Sequence, residues 1–142
     1  MPLFLIASIA GQGVVFDADQ VDSVVDIGEV VAVPRAAPSV RGLTALRSRV
    51  ITVVDTRLAL GLEPMPPHVR RAVITLQDGH YYAMLVDALD DIETFETSPL
   101  PHVPSGSGRW ALAADGMVVR DGQPLLILDL PRLVPPSVSL AA

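Results

Sequence analysis

Three histidines, sixteen carboxylates, ten arginines and two tyrosines are the charged or titratable side chains of this 142-residue chain that could do chemistry, because it has no cysteine and no lysine. The histidines are scattered. His68 lies in a proline-rich stretch, His80 follows a turn, and His102 sits in a Ser/Gly-rich loop. None has a second histidine at i+4, and the zinc-helix, nucleophile-elbow and phosphate-loop motifs are absent. Without cysteine there is no thiolate zinc site, iron–sulfur cluster, disulfide framework or cysteine nucleophile. The acidic run Asp90-Asp91, Glu93 and Glu96 is the remaining candidate for acid–base work. Alternate strand residues share a face, so Asp91 and Glu93 are expected to point the same way. A solvated outer face accounts for them equally well. General acid–base catalysis needs carboxylates whose pKa values are pushed apart in a cleft, and no nucleophile stands beside a base. The expectation is no enzyme, no metal and no cofactor.

Charge is placed unevenly. Residues 1–71 hold seven Arg and seven acids, whereas residues 72–142 hold three Arg and nine acids, giving the net charge of −6. That excess argues against nucleic acid, which is bound by neutralising phosphates. Within the first half Arg35, Arg41, Arg47, Arg49 and Arg57 are opposed in their stretch only by Asp55. Two readings stay open: a solvated set of loops, or a basic face steering an acidic protein partner. The apolar run from Leu3 to Ala10 is too short for the ~20 residues of a membrane helix. No positive charge precedes it, so it reads as a strand rather than a signal peptide. A cytoplasmic protein is expected, with no membrane insertion of its own.

The elements that must position these groups are short strands. There are twenty Val, and 13 Pro with 10 Gly cut the chain into short pieces. Strands are predicted near 3–9, 12–16, 23–33, 43–47, 50–54, 72–77, 80–86, 88–95, 111–119 and 124–129. Asp78-Gly79 and Asp121-Gly122 read as tight hairpin turns. Short helical turns are expected at 18–22, 56–60 and 130–133. Pro64, Pro66 and Pro67 mark a connector between two β units, since proline cannot donate to a central ladder. A second irregular stretch, 97–109, ends at the single Trp110, read as an anchor of that loop. Tyr81 and Tyr82 fall on opposite faces of one strand. The halves echo each other: Asp55 and Asp129 each end a strand before a helical turn, and Asp17 and Asp87 each close a strand, at offsets of 74 and 70 residues. The expected class is all-β, as closed or sandwiched units.

The segment Pro34 to Leu58 resembles the signature of the bacterial chemotaxis coupling protein family, the CheW family. That signature runs roughly P-x-x-x-x-G-[VL]-x-N-L-R-G-x-[VI]-[IV]-P-[VI]-[VI]-D-L-R. Gly42, Leu46, Arg47, the apolar strand, Asp55 and Arg57 match it. So do Phe4-Leu5, Val24-Val25-Asp26-Ile27, Ala83 to Asp87 with Ile92, and Leu125 to Asp129 with Leu133. Four positions depart. Ala45 replaces the usual Asn, Ser48 the Gly, Thr52 the Pro and Asp26 the Glu.

The resemblance implies one domain over 1–142, built as two five-stranded SH3-like barrels side by side with a few short helices. The first subdomain is expected at about 10–62 and the second at about 70–128, with terminal segments exchanged between them. It implies a non-catalytic adaptor that couples the cytoplasmic hairpin tip of a chemoreceptor to the regulatory domain of the chemotaxis histidine kinase, recruited to membrane arrays. By position, Val25, Asp26, Arg47 and Val86 would form a receptor site in the inter-barrel groove, and Arg41 with Gly42 would face the kinase. Val25 and Val86 also fit plain core positions. Asp55 and Arg57 also fit a cap and an ion pair, and Arg47 equally fits a structural salt bridge beneath the groove. A small ligand-binding β-barrel is the alternative, and an enclosed cavity would mark it.

Overall fold

A computed structural model describes residues 1–100 and 109–135 of the chain. Among the described residues ten strands form two five-stranded sheets, as an all-β fold of two SH3-like units. The strands are β1 (Leu3–Ile9), β2 (Gln12–Asp17), β3 (Ser23–Asp26), β4 (Val40–Leu46), β5 (Arg49–Asp55), β6 (Arg71–Gln77), β7 (His80–Leu85), β8 (Ala88–Thr94), β9 (Ala114–Arg120) and β10 (Gln123–Leu128). Three one-turn helices accompany them: α1 (Thr56–Ala59), α2 (Trp110–Ala113) and α3 (Leu130–Leu133). A 3-10 turn at Ala18–Gln20 links β2 to β3.

The first sheet has the order β8-β1-β2-β10-β9 and the second β3-β6-β7-β5-β4. Each joins two antiparallel hairpins through one central parallel pair, β2 with β10 and β5 with β7. The division at residues 61–70 therefore does not separate the sheets. Each sheet takes one hairpin from one half of the chain and three strands from the other. β3 leaves β1–β2 to pair with β6, and β8 leaves β6–β7 to pair with β1. Bounds at 10–62 and 70–128 therefore cut across both sheets, with the N-terminal hairpin β1–β2 exchanged into the sheet of β8, β9 and β10. The chain crosses over after Asp17 and again at Val86-Asp87, so neither half owns a complete sheet.

This exchange explains the continuously apolar strands. Leu5, Ala7 and Ile9 of β1 enter a central cluster shared by both sheets, while Phe4 and Ile6 enter a second cluster inside the first sheet. In β7, Tyr82 and Met84 join the central cluster, and Ala83 and Leu85 a third one inside the second sheet. Strands covered on both faces have no solvent side to carry polar residues. Each fully buried large aliphatic or aromatic side chain contributes about 1.5–3 kcal/mol.

Two predicted strands are shorter than expected. The run 23–33 leaves the sheet after Asp26, where Arg70 donates to the carbonyls of Ile27 and Gly28, and only Val31 returns, as a single bridge to Leu43. The run 111–119 begins as helix, and β9 starts only at Ala114. Of the 97–109 stretch, Ser98 bridges to Met117; residues 101–108, with His102, lie outside the described residues.

Candidate functional site

Two surface features bring sequence-selected residues together, and they are separate. The first is an open groove of about 600 Å³ between the sheets, lined by Leu5, Val24, Arg71 and the run Asp87–Ile92. It exists because the exchanged strands β3 and β8 are both edge strands. Val24 and Ile92 offer exposed apolar surface there. At its rim the Arg71 Nε donates to Asp26 Oδ1 at 2.9 Å, a well-exposed pair. Period-two alternation puts Val24 outside and Val25 against the second sheet's core. Of the two positions read here as receptor contacts, Val25 thus turns inward, while Asp26 lies exposed on the same side as Val24.

Val86 is not a contact residue. It is fully buried in the central cluster, and its N–H donates to the Arg71 carbonyl at 3.0 Å. The preceding β7 residues alternate between two cores, so this position has no path to solvent. Arg47 is not beneath the groove either. It caps the β4–β5 hairpin, exposed, with no carboxylate partner among the described residues. The buried salt bridge considered for it is absent there because a two-residue turn holds it away from both cores.

The second feature is a smaller cavity of about 290 Å³ at this hairpin, lined by Asp22, Ser23, Leu46, Arg47, Arg49, Ile51, Ile74 and Tyr81. Arg49, one of the five arginines of the basic stretch, joins Arg47 here. Its guanidinium lies 4.6 Å from the centroid of the Tyr81 ring. The signal was present in the alternation of the tyrosines: Tyr82 is core and Tyr81 half-buried at the rim.

Gly42 is buried, and Arg41 is part-exposed and bonded inward. Arg41 Nη2 donates to the Met65 carbonyl at 2.7 Å and lies 3.5 Å from Asp55 Oδ2. Gly42 is buried at φ +155°, and a Cβ there would lie on the Val31 carbonyl oxygen. Of the five arginines of the basic stretch, Arg41 and Arg57 are thus tied inward, leaving Arg35, Arg47 and Arg49 without carboxylate partners among the described residues.

Asp55 is buried and accepts from Leu58 N at 3.1 Å, capping α1, and from Met65 N at 2.8 Å. Arg57 pairs not with Asp55 but with Asp87 through both nitrogens of its fork. Asp87 also accepts from Ala10 N at 2.6 Å. This carboxylate therefore ties three segments from both halves at the crossover into β8. Trp110 begins α2 half-buried against the central cluster and also walls an open cavity of about 740 Å³ with Arg57 and Leu62. From β9, Arg120 takes both Asp90 (2.7 Å) and Glu93 (2.9 Å) of β8, and the bond to Asp90, with the charge of both carboxylates, raises its already high pKa. A bulge opposite Leu5–Ala7 shifts the strand's phase, so the shared cation joins Asp90 and Glu93. Among the described residues, no three His, Asp or Glu side chains are grouped to hold a metal, and no helix is long and apolar enough to cross a membrane.

Residues 3–136 match the family model described as the CheW-like domain. The chain is 23% identical over 123 residues to the chemotaxis protein CheW of Thermotoga maritima, covering 87% of this chain and 81% of that protein. It is 30% identical over 106 residues to the chemotaxis protein CheW of Rhizobium meliloti, covering 72% and 67%. Among solved structures it resembles the scaffolding protein TtCheW of Thermoanaerobacter tengcongensis with a TM-score of 0.77 at 21% identity, over 90% of this chain and 89% of that one. This last likeness speaks to the fold.

Proposed function

The chain belongs to the CheW-like domain family, and on that premise we propose that it is a non-catalytic adaptor coupling chemoreceptor cytoplasmic tips to a chemotaxis histidine kinase. The match over residues 3–136 carries this reading, because it spans both sheets and both crossovers. The receptor tip sits in the inter-sheet groove. Its apolar side chains meet Leu5, Val24 and Ile92, and the Asp26–Arg71 pair supplies polar anchors at the rim. A helical hairpin laid in an apolar groove is held in this way. The kinase regulatory domain takes the outer edge of the second sheet, where Arg41 and Gly42 shape β4 from within while Val31 and Ala45 are exposed. Coupling is then a free energy shared between two interfaces, typically about 1–3 kcal/mol. The groove between the sheets is open along its length, which suits a protein partner.

The test is binding of a receptor cytoplasmic fragment and of the kinase regulatory domain, measured by calorimetry on wild type and on a Val24→Glu, Asp26→Arg double variant. The variant is expected to lose receptor affinity about tenfold or more while binding the kinase domain as wild type does. If wild type binds neither protein, the adaptor reading fails. If the variant binds both unchanged, the groove assignment fails.

A further inference from the structure

In each sheet, residues beyond one end strand bridge to the other end strand, so a seam separates β8 from β9 and another separates β3 from β4. The two seams are fastened differently. In the second sheet Val31 exchanges two backbone bonds of 2.8 Å with Leu43, and the buried Thr44 hydroxyl donates to the Glu29 carbonyl at 2.8 Å. In the first sheet Ser98 exchanges two backbone bonds of 2.8 Å with Met117, but the side chain that crosses is charged: Arg120 of β9 reaches Asp90 at 2.7 Å and Glu93 at 2.9 Å. β8 is the strand that needs holding. Its one ladder partner is β1, none of its side chains is fully buried, and Leu89 is the one that packs against the central cluster. The ladder is also interrupted. Leu5 faces Ile92 and Ala7 faces Leu89, so Asp90 and Asp91 together oppose Ile6 in a bulge. Arg120 takes hold at that bulge through Asp90 and just past it through Glu93, as a guanidinium fork can and a point charge cannot. The strand so held is a wall of the inter-sheet groove, which Asp87 to Ile92 line.

We propose that Arg120 is a positioning residue for the groove: by clamping the β8 bulge to β9 it holds the Leu89 and Ile92 wall in one place, and the clamp is released by salt. All three side chains of the clamp reach solvent, so it adds little to global stability. A strand with few buried contacts opens locally far more readily than the molecule unfolds, and there a weak clamp sets the population of the closed form. Without Arg120 the three carboxylates Asp90, Asp91 and Glu93 stand within four residues of one another with no cation paired to them among the described residues. What the groove receives rests on the adaptor reading; the clamp itself does not.

The test is NMR-detected amide hydrogen exchange on the whole chain, for wild type and Arg120→Gln, at about 20 mM and about 500 mM NaCl. The Phe95, Ser98 and Met117 amides, all bonded at or beside the first seam, are expected to exchange about threefold faster in Arg120→Gln at low salt. The Leu43 amide of the second seam and the urea midpoint should stay as in wild type, while the Leu89 and Ile92 methyl signals shift. Added salt should speed the first-seam amides of wild type and leave those of the variant unmoved. Asp90→Asn with Glu93→Gln should reproduce the faster exchange from the other side of the clamp. Unchanged exchange in both variants, or a general rise that includes Leu43, overturns the proposal. Binding of the receptor fragment is measured on Arg120→Gln alone, since Asp90 lines the groove, and should weaken about threefold. Unchanged affinity there overturns the positioning role. Wild type that binds no fragment refutes the adaptor reading instead, and the exchange result then still decides the clamp.

Discussion

At the start of α1 the Asp55 carboxylate is buried, caps the helix, receives the Met65 N–H and neighbours Arg41. At the start of α3 its counterpart Asp129 makes no cap bond; it accepts from the Gln20 amide at 2.7 Å and lies 3.5 Å from Arg132. The same comparison runs through the two halves. Gly42 and Gly116 sit at φ +155° and +154°, each pressed against the carbonyl of a lone bridge residue, Val31 or Ser98. The crossover into β8 is locked ionically by Arg57 and Asp87, and the crossover after β2 by Gln20, which bonds both Asp129 and the Leu130 N–H. The β4–β5 turn is Arg47-Ser48, whereas the β9–β10 turn is Asp121-Gly122, with φ +51° and +78°. One architecture is thus built twice. The half that supplies β4 and β5 keeps its carboxylate buried and its hairpin strained and basic, and the other half relaxes both. A repeated fold needs its glycines and its crossovers in both copies, while caps and turn tips are free to diverge toward binding.

The largest expected break in this comparison is at the two aspartates. Asp55→Ala removes a cap, strands a buried N–H and unpairs Arg41, and should cost about 3 kcal/mol, whereas Asp129→Ala should cost about 1 kcal/mol. Urea denaturation of the two variants measures the difference, and equal losses would mean that the two sites are energetically equivalent. Next come the glycines. Gly42→Ala drives a methyl into backbone and should cost about 2–3 kcal/mol, and Gly116→Ala, with its nearest contact at 2.8 Å, rather less. The crossover locks are smaller. Arg57→Ala and Asp87→Ala should each cost about 1–2 kcal/mol, with a coupling of about 1 kcal/mol in a double-mutant cycle. Additive losses would show that Asp87 works through Ala10 alone. Smallest, and opposite in sign, Ser48→Gly should raise stability by about 1 kcal/mol by relieving the left-handed strain. Unchanged or lower stability in that variant would show the turn to be unstrained.

Much of the fold was legible from residues alone. Valine-rich runs separated by Asp-Gly turns placed nearly every strand, and Asp17, Asp55, Asp87 and Asp129 marked the ends of corresponding strands. The Ala10-Gly11 turn was not singled out, because alanine carries no turn signal although its φ is +52°. The candidate site was legible only in part. Asp26 and Arg47 are exposed, but they serve different cavities, and Val86 and Gly42 are core.

The sequence by itself determined local matters: strand and turn positions, the charge imbalance between the halves, and a family signature running through β4 and β5. These follow from side-chain shape and backbone preference within a few residues. Only the tertiary structure decided which half completes which sheet, that Val24 rather than Val25 faces the groove, and that Arg57 reaches Asp87. Those outcomes rest on pairings between residues far apart in the chain, where a shift of one position reverses every side chain.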